Sequence, residues 1–161
     1  MSLKIYLASS WRNNEAVKII FDCLRKLGFE VDCFCDQEGG RFGFNISEAF
    51  QTQGHNIYEI DAITAFQHPA IASKFIAAFA EDKKWLDWCN CLILLMPCGR
   101  SAHLEAGYVK GRGGLFYIYW LNEPIKGEFE NMYQFADGLF CPEELYKLID
   151  ILKQQRGGNG R

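Results

Sequence analysis

No apolar run in this chain approaches the roughly 20 residues that cross a bilayer, so no membrane partner is expected. There is no C-x-x-C pair, and none of the 3 histidines stands at ligand spacing from a cysteine, which argues against a zinc site or other metal centre. A basic stripe is also missing. With 17 Lys and Arg against 20 Asp and Glu the formal charge is -3, which does not suit a protein that grips polymeric nucleic acid. A small anionic ligand held in a pocket remains compatible with that charge. The 7 cysteines are odd in number and scattered through apolar segments, as reduced thiols of a cytoplasmic protein would be. Cys33 with Cys35, and Cys89 with Cys91, are spaced to point to the same side of a strand. Met1-Ser2-Leu3-Lys4 runs straight into strand-like sequence, so no signal peptide is expected. Internal repeats are absent.

What is present reads as one domain over 1–153, followed by a Gly-rich tail, 154–161, expected to be disordered. A domain of this size buries roughly 68–70% of its unfolded surface and needs neither disulfide nor cofactor to hold together. Residues 4–8 read as a strand. An amphipathic helix over 15–26 follows, with Val17, Ile20, Leu24 and Leu27 in period and Gly28 as its stop, then an alternating strand over 29–34. Strand, helix and strand imply a parallel sheet. The stretch 36–53 is rich in Gly and Phe without a sustained period; Phe42 and Phe44 either cover a flat ring or pack the loop onto the body. A short helix over 58–66, a break at His68-Pro69 and a long helix over 71–88, with Ile71, Phe75 and Phe79 four apart, come next. Leu115–Trp120 is an aromatic strand, 121–130 a polar loop and 139–141 a short strand. Pro142 opens a last helix to Lys153. The pattern predicts a three-layer α/β sandwich with about five parallel strands, of flavodoxin or Rossmann type.

The centre of this pattern is the apolar run Cys91–Met96, the turn Pro97-Cys98-Gly99-Arg100 and the helix start Ser101-Ala102-His103-Leu104-Glu105. A ligand crevice beside a helix N-terminus is expected there, because unpaired N–H groups and the helix dipole favour negative charge. Glu105 lies about one turn into the helix, where the dipole favours its ionised form by about 0.3–1 kcal/mol. It is either a nucleophile or base at that crevice or an ordinary acidic first-turn residue. The turn Ser9-Ser10-Trp11-Arg12 falls at the same sheet edge and offers hydroxyls, N–H groups and a guanidinium to a phosphate or carboxylate. Equally, Ser10 or Asn14 caps a helix and Arg12 is solvated. Asp82 either faces the crevice or pairs with Lys83 or Lys84. His103 diverges from Glu105 by about 200° on a helix and reads as a packing or surface residue.

Three patches together resemble the nucleoside 2-deoxyribosyltransferase superfamily, which includes the deoxynucleoside 5'-monophosphate N-glycosidases. They are Ile5 to Arg12, Asp82 with the position eight residues later, and Ser101 to Tyr108, similar to the family pattern G-x-x-x-E-x-G-x-A. The string Pro97 to Gly107 looks like a branch of this superfamily found in bacteria and their phages. The resemblance implies that Glu105 attacks the anomeric carbon of a ribosyl group and that Asp82 positions the nucleobase or shuttles a proton to it. It also implies that Tyr6 holds the nucleophile or the sugar, and that Ser10 and Arg12, with Ser9 and Trp11 of the same turn, contact a 5'-phosphate. Two departures stand out: Asn90 replaces an Asp at the start of the third strand, and Gly99 occupies a substrate-contacting position usually held by Asp or Ser, leaving that role to Arg100, Ser101 or His103. The implied partner is a small nucleoside or nucleotide, the implied assembly a homodimer or higher homo-oligomer, and no cofactor is implied.

The chemistry fits the residue types. N-glycosidic cleavage passes through a cationic sugar that a fixed carboxylate stabilises and can trap, while a second carboxyl group can protonate the departing base. The competing expectation is a sensor that holds a nucleotide or an NAD derivative without turnover.

Overall fold

The structure, a computed structural model, describes residues 2–35, 54, 56 and 59–157, without the side chains of 70 and 71. In chain order its elements are β1 (Lys4–Ala8), α1 (Asn14–Lys26), β2 (Glu30–Cys33), α2 (Ala62–Gln67), α3 (Pro69–Trp88), β3 (Cys91–Met96), α4 (Arg100–Gly111), β4 (Leu115–Trp120), β5 (Gly138–Phe140) and α5 (Leu145–Gly157). By compactness the chain divides into two units: Met1–Asp36 with Trp85–Arg161, and Gln37–Lys84. The second unit has a small apolar cluster of its own around Ala65, Ile60 and Phe75.

The first unit is a five-stranded parallel sheet in the order β2-β1-β3-β4-β5, with helices on both faces: a three-layer α/β sandwich of flavodoxin or Rossmann type. Side-chain alternation divides β1 between the two faces. Ile5 and Leu7 join Val17, Ile20, Phe21 and Leu24 of α1 and Leu148 and Leu152 of α5, whereas Tyr6 and Ala8 join Ala102, Ala106 and Val109 of α4 with Leu86 and Cys89. Burial on both faces is why β3 reads as an unbroken apolar run rather than an alternating one. Phe116, Tyr117, Ile118 and Tyr119 of β4 are core residues between β3 and β5.

Local chemistry sets the element ends. Gly28, at φ 79°, takes the left-handed conformation that lets the chain turn from α1 into β2. Arg156 donates to the carbonyls of Leu27 and Gly28 at 3.2 and 3.0 Å and lies over the Phe29 ring. That anchor accounts for α5 continuing to Gly157, past the expected stop at Lys153; the rest of the tail lies outside the described residues. Cys89 precedes β3 and falls in the core on one face, while Cys91 falls in the other, so the pair does not share a side as expected. None of the 7 cysteines is in a disulfide. Among the described residues, no helix is long and apolar enough to cross a membrane.

Asn90 determines how β1 starts beside β3. Its Oδ1 accepts from Lys4 N at 2.8 Å, its Nδ2 donates to Ser2 O at 2.9 Å, and its own backbone links Lys4 O to Leu115 N. The departure from Asp thus lies at the amino edge of the sheet, where a donor as well as an acceptor is used. At the same edge Arg112 donates to the carbonyls of Leu86, Asp87 and Cys89, satisfying the C-terminal end of α3. Asp137 accepts from Phe116 N at 2.8 Å and pairs with Lys110.

In the second unit, Asp61 caps α2 by accepting from Ile63 N and Thr64 N at 2.9 and 3.0 Å. A bond from the Thr64 hydroxyl, followed by these two backbone bonds, holds its carboxyl below the usual range. The expected helix over 58–66 is described as Ala62–Gln67, and α3 begins at Pro69, whose fixed φ suits a first helical position, rather than at 71. Phe75 packs on Phe66, but Phe79 is 64% exposed despite its regular spacing. The loop 36–53 lies outside the described residues.

Candidate functional site

Strand order identifies the crevice. In the order 2-1-3-4-5 the connections from β1 and β3 leave toward opposite faces, so the carboxyl ends of these neighbours are the topological switch point where α/β sheets collect ligands. The turns meeting there are 9–13 after β1 and 97–99 after β3, the latter beginning with the cis Met96–Pro97 bond.

The turn 9–13 is held partly by its own side chains. Ser9 Oγ donates to Leu95 O at 2.8 Å and accepts from Asn13 Nδ2 at 3.0 Å, which commits this hydroxyl to joining β1 to β3. Ser10 Oγ accepts from Arg12 N at 3.4 Å and caps the short 3-10 turn Trp11–Asn13, so the capping role weighed for Ser10 is present. Arg12 is exposed. Trp11 is 50% exposed and meets Phe34 edge to face at 4.9 Å between ring centroids.

Across the crevice, Gly99 is the N-cap of α4 and supplies no side-chain cap. A Cβ at this position would meet open space, so no steric demand explains glycine where the resembled family has Asp or Ser. Arg100 and Ser101 are exposed in the first turn, and among the described residues no carboxylate pairs with Arg12 or Arg100. Uncapped N–H groups with a nearby guanidinium are suited to an anion.

The direction of Glu105 follows from the buried stripe of α4. Ala102, Ala106 and Val109 face the sheet; Glu105 then lies about 70° to one side of that stripe and His103 about 90° to the other. His103 stacks on Tyr133 at 6.1 Å, and Tyr133 packs against Trp120 at the end of β4. That flank is therefore the β4 side, and Glu105, partly buried, lies on the β1 side. At about 1.5 Å per residue Glu105 is about 7.5 Å down α4 from Arg100. Tyr6 is 1% exposed, in the same core cluster as Ala102 and Ala106 of α4.

Cys98 reports the charge of Glu105. Burial, followed by the nearby Glu105 carboxylate, pushes the thiol up to about 12. Its Sγ approaches Met96 Sδ at 3.3 Å. A thiol so strongly protonated at neutral pH is not a nucleophile. Gly99 O can only accept, which assigns the proton of His103 to Nδ1, 2.9 Å away, and leaves Nε2 to accept from the Tyr133 hydroxyl at 3.4 Å. Burial raises the Tyr133 pKa, with Cys98 adding to it, which is consistent with Tyr133 as the donor. His103 thereby ties its ring to the Gly99 carbonyl at the start of α4.

The first unit carries Tyr6, Ser9, Ser10, Trp11, Arg12, Gly99, Arg100, Ser101 and Glu105, and Asp82 is an exposed residue of α3 in the second unit. The sequence reading missed Asn13, Tyr133 and Asp32. Asp32 pairs in register with Tyr6, while Val31 and Cys33 face the opposite core, so its carboxylate lies on the Tyr6 face of the sheet. It is 5% exposed and accepts from Cys33 N at 2.7 Å. The alternation of 29–34 was the available signal for Asp32; Asn13 and Tyr133 had none, because their partners are far away in sequence. Among the described residues no group of acidic, His and Cys side chains could hold a metal ion. Neither a scan against protein-family models nor a search of curated proteins finds a match to this chain.

Proposed function

We propose that this protein cleaves or transfers at the N-glycosidic bond of a nucleoside or nucleotide, with Glu105 as the nucleophile. The observation that carries the proposal is the side of α4 on which Glu105 lies: toward β1 and the switch point. In the proposed reaction the Glu105 carboxylate bonds to the anomeric carbon as the C–N electron pair leaves with the base. A proton supplied from Asp82 neutralises that base, and water or a second base then displaces the carboxylate. Tyr6 holds the nucleophile or the sugar, while Arg12, Arg100, Ser10, Ser101 and the uncapped start of α4 receive a 5'-phosphate. The resemblance to 2-deoxyribosyltransferases and nucleotide N-glycosidases supports the same assignment. A homo-oligomer completing the pocket belongs to the proposal, supported by the exposed Ile63, Phe66, Ile76 and Phe79 of the second unit. Free thiols support a reducing, cytoplasmic setting.

Incubation with deoxynucleosides, their 5'-monophosphates and NAD, followed by chromatography, tests the proposal. Free base is expected from the wild-type protein, reduced at least about 1,000-fold in Glu105→Gln with an unchanged melting temperature. Stoichiometric binding without release across that panel would instead identify a sensor.

A further inference from the structure

We propose that Asn13 is a positioning residue that fixes the two turns of the crevice relative to each other and thereby governs affinity for the anionic end of the substrate, an inference that rests on the function proposed above. Asn13 is the N-cap of α1, where an Asn side chain ordinarily turns back to accept from its own helix. Here it makes no such cap bond. Its carboxamide reaches across the crevice instead, donating to Pro97 O at 2.6 Å and to Ser9 Oγ at 3.0 Å, and Ser9 Oγ passes the connection on to Leu95 O at 2.8 Å. An amide has two N–H donors, and Asn13 gives one to each turn.

The need for such a link follows from the ladder. The register of β1 with β3 ends at Ala8 opposite Leu94, so past that point the two turns are joined by side chains rather than by strand pairing. On one side, Asn13 N donates to Ser10 O at 2.9 Å, so Ser10, Trp11 and Arg12 move with the carboxamide. On the other, Pro97 leads within two residues to Gly99 and the uncapped N–H groups of α4. Donors that converge on one anion lose affinity when the two halves of their cradle drift apart, while the carboxylate deeper in the crevice is affected much less.

Asn13→Ala is expected to raise KM for a deoxynucleoside 5'-monophosphate about tenfold with kcat within about threefold, and to change KM for the phosphate-free deoxynucleoside by no more than about threefold. Asn13→Asp, which has no N–H to give and sets a carboxylate against the Pro97 carbonyl, should be worse than Ala on the monophosphate. KM unchanged in both variants, or KM for both substrates rising together with a fall in melting temperature, would overturn the inference. A ligand-free readout separates it from the function it rests on. In 15N spectra Asn13→Ala should move the amides of Gly99 and Arg100 across the crevice as well as those of Ser10 to Arg12, and shifts confined to 10–12 would refute the coupling. If the wild-type protein neither binds a monophosphate nor releases base, the proposed function falls, and these amide shifts alone decide whether Asn13 joins the turns.

Discussion

The two edges of the sheet use their polar residues in opposite ways. At the amino edge, Asn90, Arg112 and Asp137 direct their side chains to backbone groups of neighbouring elements. At the carboxyl edge, Ser9 and Asn13 serve the backbone in the same manner, but beside them Gly99 leaves the start of α4 without a side-chain cap, and Arg12, Arg100 and Ser101 are exposed. Under the proposed function, the end with bare donors is the one that receives the ligand. Asn90 belongs to the edge that holds β1, β3 and β4 in register, far from the crevice.

Substitutions at the amino edge should cost stability and spare the site. The largest effect is expected for Gly114→Ala, whose new Cβ would sit 2.6 Å from Val109 Cγ1 and 2.9 Å from Val109 O. Overpacking against backbone should cost about 2–3 kcal/mol in a denaturant titration, with base release per folded molecule unchanged. Asn90→Asp comes next: the carboxylate still accepts from Lys4 N but faces Ser2 O without a proton, a loss of about 1 kcal/mol. If either variant abolished base release while remaining folded, the division between the edges would be wrong. The smallest effect sharpens the carboxyl side. Because the Glu105 charge helps raise the Cys98 pKa, Glu105→Gln should lower it, giving more thiolate at pH 9 and several-fold faster peptide-resolved alkylation of Cys98. An unchanged rate would mean that Glu105 points away from the turn.

Much of the first unit was legible in the sequence, because doubly buried strands and an amphipathic helix leave strong periodic signals. Lys4–Ala8, the stop at Gly28, the Cys91–Met96 run and the start of α4 were all readable. What was not legible depends on contacts between distant residues. Arg156 extends α5 through carbonyls of residues 27 and 28, and His103 is fixed by Tyr133, within a short turn (Asn131–Phe135) that has no periodic pattern. The regular spacing of Phe75 and Phe79 suggested one buried face, yet Phe79 is exposed, since spacing defines a stripe without determining what covers it. Within the site, the side on which Glu105 lies required both the buried stripe of α4 and the stacking partner of His103.

The most direct measurement is intact-mass and peptide mapping after incubation with a 2-deoxy-2-fluoro nucleotide, an analogue meant to trap the proposed covalent sugar intermediate. A single sugar adduct on the peptide containing Glu105, absent in Glu105→Gln, is the predicted result. Base release with an adduct on another residue, or with no adduct under conditions that trap it, would contradict the assignment of Glu105 as the nucleophile.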